Sequence, residues 1–111
     1  MAAYAIAHLR RVDLNAEVAD YLRRIDDTLA PFGGRFLVHG AQPVQVDGAW
    51  EGTVVVIEFA DLERARAWYD SPGYQAILPL RTRNSQGDAI LVEGVAAGYK
   101  ASSLLAKRGL G

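Results

Sequence analysis

The run TVVVIEF at residues 53–59 places the tightest limit on how this chain can fold. β-Branched residues in succession favour an extended backbone, and the side chains of a strand alternate between two faces. Val54 and Val56 therefore share one face, Val55 and Ile57 the other, and no polar side is left to meet water. Such a strand needs apolar cover above and below. One layer of helices covers a single face and leaves an apolar patch of roughly several hundred Å² on the other, more than a lone chain normally exposes. A second copy of the chain covers it economically, so the expectation is a homodimer whose sheets meet face to face.

The rest of the chain supplies that sheet and its helices. AYAIAHLRRV (3–12) is a strand with Tyr4, Ile6 and His8 on one face and Ala5, Ala7 and Leu9 on the other. Leu14, Val18, Tyr21, Leu22, Ile25 and Leu29 then repeat with helical spacing, predicting a helix over about 14–30 with one buried stripe. Asp13 or Asn15 can cap its start, and Pro31 with Gly33-Gly34 stops it. A second strand is expected over 34–40, with Asp47-Gly48 closing a tight hairpin to the third at 53–59. Asp61 opens a second helix, with Leu62, Ala65, Trp68 and Tyr69 on one face. Ser71-Pro72 breaks it and restarts it, serine as cap and proline in the first turn. Pro79 predicts a kink or another restart near Leu78. A fourth strand follows at 88–95, and the tail 96–111 reads as a short helix or a frayed end. The order is βαββαβ, an α+β ferredoxin-like plan with a four-stranded antiparallel sheet, paired as a dimeric α+β barrel; residues 1–95 form one domain.

Composition removes several function classes. Twelve basic residues against thirteen acidic give a net charge of −1, so no strong field recruits nucleic acid or an anionic membrane. There is no cysteine, hence no disulfide, thiolate metal site or cysteine nucleophile. The N-terminal apolar run is short and its arginines follow it, the reverse of a signal peptide, and nothing approaches the ~20 apolar residues of a membrane span. A cytoplasmic protein is the expectation.

Four phrases in register, PFGGRFLVHG (31–40), VVVIEF (54–59), ARAWYDSPGYQAILPLR (65–81) and ILVEG (90–94), resemble the DUF1330 family. The resemblance covers about residues 3–95. It implies the dimeric α+β barrel superfamily, which includes cofactor-independent monooxygenases, isomerases, decarboxylases, haem enzymes and stress-response barrels; it imports no catalytic residue.

The candidates for chemistry are few. His8 is a general base or a histidine satisfied within the structure; His39, near the end of the second strand, carries less weight. The two histidines have no metal-ligand spacing, and no metal or cofactor is expected. Arg35 can hold a carboxylate or enolate with Glu58 orienting it, or the two form a structural pair. Trp68, Tyr69 and Tyr74 are core aromatics unless the Ser71-Pro72 junction opens a pocket, with Tyr74 and Arg81 at its rim. Glu93 is a charge partner or a solvated strand end. One reading is a small cofactor-independent enzyme, with His8 or Glu58 moving a proton, acting on an apolar or carboxylated metabolite. The alternatives are a non-catalytic small-molecule-binding or stress-related dimer, and an interaction protein docking through YKASSLLAKR (99–108).

Overall fold

A computed structural model of the chain describes residues 1–110. Strand β1 (Ala3–Val12) is followed by helix α1 (Ala16–Leu29), a 3₁₀ turn (Ala30–Phe32), β2 (Arg35–Val38) and β3 (Thr53–Phe59). Helices α2 (Leu62–Asp70) and α3 (Pro72–Thr82), strand β4 (Ser85–Glu93) and a short α4 (Ser103–Lys107) complete it. The strands form one antiparallel sheet in the order β2-β3-β1-β4, the ferredoxin-like arrangement with its second helix divided in two.

Local chemistry explains most boundaries. Of the two possible caps, Asn15 starts α1: its Oδ1 accepts from the Val18 N–H at 3.1 Å. The 3₁₀ turn ends at Gly33, whose φ of 68° favours glycine. Gly34 serves by size instead, since a Cβ there would lie 2.7 Å from both Leu29 and Phe59 side-chain atoms. Ser71 ends α2 and begins α3, donating from Oγ to the Trp68 carbonyl at 2.6 Å and accepting from the Tyr74 N–H at 3.3 Å. Pro72 then occupies the first turn, where its missing N–H costs nothing.

Several expectations are corrected. No second restart occurs near Leu78: α3 runs through Pro79 to Thr82, with Pro79 and Gln75 both solvent-facing, so water can serve the carbonyl that proline leaves free. Asp47-Gly48 does not close the hairpin. β2 stops at Val38, and the chain returns only at Thr53; the Asp47-Gly48 turn is a closed loop within 39–52, bracketed by Gln45, which donates to the Gly48 carbonyl at 2.6 Å and accepts from the Trp50 N–H at 3.0 Å. β4 begins at Ser85 rather than 88, because Ser85–Gly87 stay paired with β1 beyond a bulge near Arg10.

The register sorts the sheet's side chains. Ala3, Ala5, Val55, Ile57, Phe59 and Leu91 face the helices, and the buried core gathers at that end around Leu29, Trp68, Tyr74 and Ile77. The other face carries Ile6 between Val56 and Ile90, Tyr4 between Glu58 and Val92, and His8 between Val54 and Asp88. Among the described residues nothing packs closely over the middle of this apolar face, where Ile90 is 55% exposed. Beyond β4 the tail leaves the sheet and ends in α4, the short-helix alternative, with Leu104 and Leu105 exposed. Among the described residues no helix is long and apolar enough to cross a membrane.

Candidate functional site

The helix side of the sheet is packed at one end and hollow at the other. Alternation along β1 places Ala5 and Ala7 beneath α1, with Ala89 of β4 beside Ala7. Val18, Tyr21 and Ile25 above are themselves buried, and the methyl groups leave open space toward the exposed side, where Leu14 and Leu22 stand. A half-open cleft of about 740 Å³ results, within the size range of small-molecule pockets. Leu14 and Leu22 stand at its rim. Leu14 is 80% exposed and precedes α1, a correction to its expected place in the buried stripe: the stripe there overlooks a hollow rather than a packed sheet.

One end of the cavity is polar. The Tyr21 and Tyr74 hydroxyls hydrogen-bond at 2.8 Å, and Arg81 from the next turns of α3 faces both phenols. Tyr74 is not at the rim, where the sequence put it; it is only 2% exposed, its ring tilted against those of Trp68 (centroids 4.1 Å apart) and Tyr69 (5.6 Å). Trp68 turns its indole N–H away to the Thr28 hydroxyl at 3.0 Å and offers the cavity only its ring. Burial, and then the neighbouring Tyr74, push the Tyr21 phenol well above its ordinary value. For Arg81 burial disfavours the cation, but the Tyr74 and Tyr21 oxygens outweigh it and hold the guanidinium above its ordinary value.

The Tyr21 shift has a measurable consequence. A phenol raised in the folded state contributes stability that is fully present below the unfolded value of 10.0 and is lost as pH climbs past it. In an alkaline titration of the native protein, at least one of the five tyrosines is expected to stay un-ionised until the chain unfolds, so tyrosinate absorbance reaches full amplitude only with loss of circular dichroism. Tyr21→Phe reduces the lagging amplitude by one tyrosine. A full five-tyrosine signal from folded wild-type protein would contradict this burial.

The structure does not bring all the nominated residues together. Trp68, Tyr69, Tyr74 and Arg81 line the cavity, whereas His8, Glu58 and Arg35 lie on the opposite face of the sheet, because their strand positions alternate with those above the cavity floor. His8 donates from Nε2 to the Glu51 carbonyl at 2.7 Å and stacks on Trp50, with centroids 4.0 Å apart. Arg35 pairs with its cross-strand neighbour Glu58, Nη2 to Oε1 at 2.7 Å. Glu93, at the end of β4, is exposed and pairs with neither Arg35 nor Arg81. His39, given little weight from sequence, reaches the cavity wall, stacked on Phe36 at 4.7 Å. The residues that sequence reasoning passed over are Tyr21 and the small floor residues; the signals were a tyrosine within a buried stripe, whose hydroxyl needs a partner, and alanine at positions 3, 5 and 7 on one face of β1. Among the described residues no three His, Cys, Asp or Glu side chains gather as a metal would need.

The sequence profile of DUF1330, a domain of unknown function, matches residues 2–95. The chain belongs to the DUF1330 family. No curated protein sequence matches it. Among solved structures, the RPA0582 protein of unknown function from Rhodopseudomonas palustris superposes with a TM-score of 0.63 at 14% identity, covering 86% of this chain and 83% of that one. A dimeric ferredoxin-like protein of unknown function from Jannaschia sp. CCS1 gives 0.60 at 12% identity, over 85% and 100%. A variant of SnoaB, a cofactor-independent oxygenase from Streptomyces nogalater, gives 0.50 at 12% identity, over 89% and 97%. At these identities the likeness shows that this DUF1330 chain shares the ferredoxin-like fold.

Proposed function

We propose that this protein is a homodimeric small-molecule-binding protein in which the open sheet face joins two copies and the helix-side cavity encloses a small, largely apolar molecule. The half-open cleft of about 740 Å³ beside α1 and the alanine floor carries this reading, because its size and mostly apolar lining are those of small-molecule sites. The Jannaschia protein's description as dimeric supports the pairing. In this arrangement Trp68, Tyr69, Tyr74 and Arg81 meet the ligand, while Arg35–Glu58 and His8 belong to the joined faces.

A second reading is a cofactor-independent enzyme working in the same cavity, supported by the fold shared with an oxygenase of that kind. Consumption of the bound ligand under air separates the two. In the enzyme the groups nearest the ligand are the two phenols and Arg81, rather than His8 and Glu58 across the sheet.

A thermal-shift screen of small carboxylates, phenols and aromatic compounds tests the cavity. A ligand at a hundred times its Kd adds about 2.7 kcal/mol, several degrees in a domain of this size. Ala7→Phe supplies the control. Filling a true hollow with an aromatic ring gains up to ~1.5–3 kcal/mol of burial, whereas forcing it into a packed core costs about 1–3 kcal/mol. The expected variant therefore melts no lower than wild type and loses the ligand-induced shift. A lowered midpoint would show that no hollow exists there.

A further inference from the structure

We infer that the polar end of the cavity is a subsite for a single planar oxyanion, a carboxylate or enolate on an apolar body, held by Arg81 with Tyr21 and Tyr74; this rests on the binding role proposed for the cavity. Six arginines of the described residues, Arg10, Arg11, Arg24, Arg35, Arg64 and Arg83, pair with carboxylates at the surface. Arg23, Arg66, Arg81 and Arg108 pair with no carboxylate among those residues; of these Arg66 and Arg81 line the cavity, Arg66 exposed and Arg81 half-buried. Its backbone is fixed: the Arg81 carbonyl accepts from the Ser85 hydroxyl at 2.7 Å and the Asn84 N–H at 3.1 Å.

The hydrogen-bond inventory sets the sign of the ligand. A guanidinium has five N–H donors and no acceptor. Between the phenols one O–H donates to the other oxygen at 2.8 Å, which leaves the second O–H without an acceptor among the described residues. Arg81 and the phenol pair thus present surplus donors and a positive charge at a cavity whose lining is otherwise mostly apolar, with Arg66 as a second, exposed cation. A planar two-oxygen anion accepts from the fork of Arg81 and from the free phenol O–H together, and the low dielectric of the cavity strengthens each bond. An ammonium meets like charge and no free acceptor. A neutral amide keeps the apolar contacts but brings its own N–H donors to a site already rich in them.

The test uses two matched sets: octanoate, octanamide and octylamine, and naphthoate, naphthamide and naphthylmethylamine, titrated by calorimetry into the wild-type protein, Arg81→Met and Tyr74→Phe. The expected result is at least one carboxylate bound tenfold or more tighter than its amide, with its amine not bound. Arg81→Met, which keeps the apolar stem, then lowers carboxylate affinity to that of the amide and leaves the amide unchanged. Tyr74→Phe, which keeps the core ring should Arg81→Met fail to fold, lowers carboxylate affinity severalfold and leaves the amide unchanged. Carboxylate and amide binding equally in wild type overturns the oxyanion subsite and leaves the cavity reading standing. No binding by any of the six probes overturns both.

Discussion

Ile90→Asp is expected to split the protein from an assembly of twice its 12.0 kDa mass into single chains, read by light scattering after size exclusion. The open face has one apolar row, Val56, Ile6 and Ile90, crossing three strands, flanked by the Tyr4 and His8 rows. In the isolated chain Ile90 is 55% exposed, so a carboxylate there stays hydrated and costs the single chain little. Once two such faces meet, the same carboxylate loses its water without a cation of its own. An unpaired charge in an interface costs roughly 3–5 kcal/mol, and two-fold symmetry imposes it twice. Leu22→Asp is the control: it sits at the cavity rim on the other side of the sheet and should leave the mass unchanged. If Ile90→Asp keeps the wild-type mass, the open face is not where two copies join.

The need for cover on that face was legible in residues 53–59, because four successive apolar β-branched residues, Val54 to Ile57, leave no polar side whatever the partner. The element order was equally legible, since the switch from alternating to helical spacing at Leu14 and Asp61 is a property of the local sequence. Ser71-Pro72 announced its helix break for the same reason. What was not legible depends on distance along the chain. Periodicity placed His8 with Tyr4 and Ile6 and opposite Ala5, but which face the helices choose is not set by local spacing, so His8 and Glu58 could not be separated from Tyr74 and Arg81. The Tyr21–Tyr74 bond links positions 53 residues apart, and no spacing rule reports it. The cavity was hidden by classification: Ala5 and Ala7 count as apolar beside Val55 and Ile57, yet a cavity is made by the volume they lack. Asp47-Gly48 shows the opposite failure, a local signal that is obeyed by a turn but overridden as a strand connection because Gln45 and Trp50 close a larger loop around it.

Phe59→Ala is expected to destabilise the fold by about 3–5 kcal/mol, the range for emptying a fully buried aromatic position, enough to unfold most of a domain of ordinary stability. Phe59 is 1% exposed at the end of β3, its ring 5.4 Å from that of Trp68 and tight against Gly34. Removing it opens the closed end of the helix–sheet layer, where Leu29, Trp68 and Ile77 are held on several sides by the sheet, the 3₁₀ turn and the α2–α3 junction and cannot collapse inward. Urea denaturation reads the loss as a fall in midpoint at unchanged slope. Paired with Ala7→Phe, this asks one question of one sheet face: deleting a ring at the Phe59 end should cost several kcal/mol, while adding one at the Ala7 end should cost nothing. Equal destabilisation by both would mean the layer is packed throughout, and a site beneath α1 would have no room. Opposite outcomes would locate the hollow between Ala7 and Tyr21, where the polar end of the cavity lies within reach of a ligand.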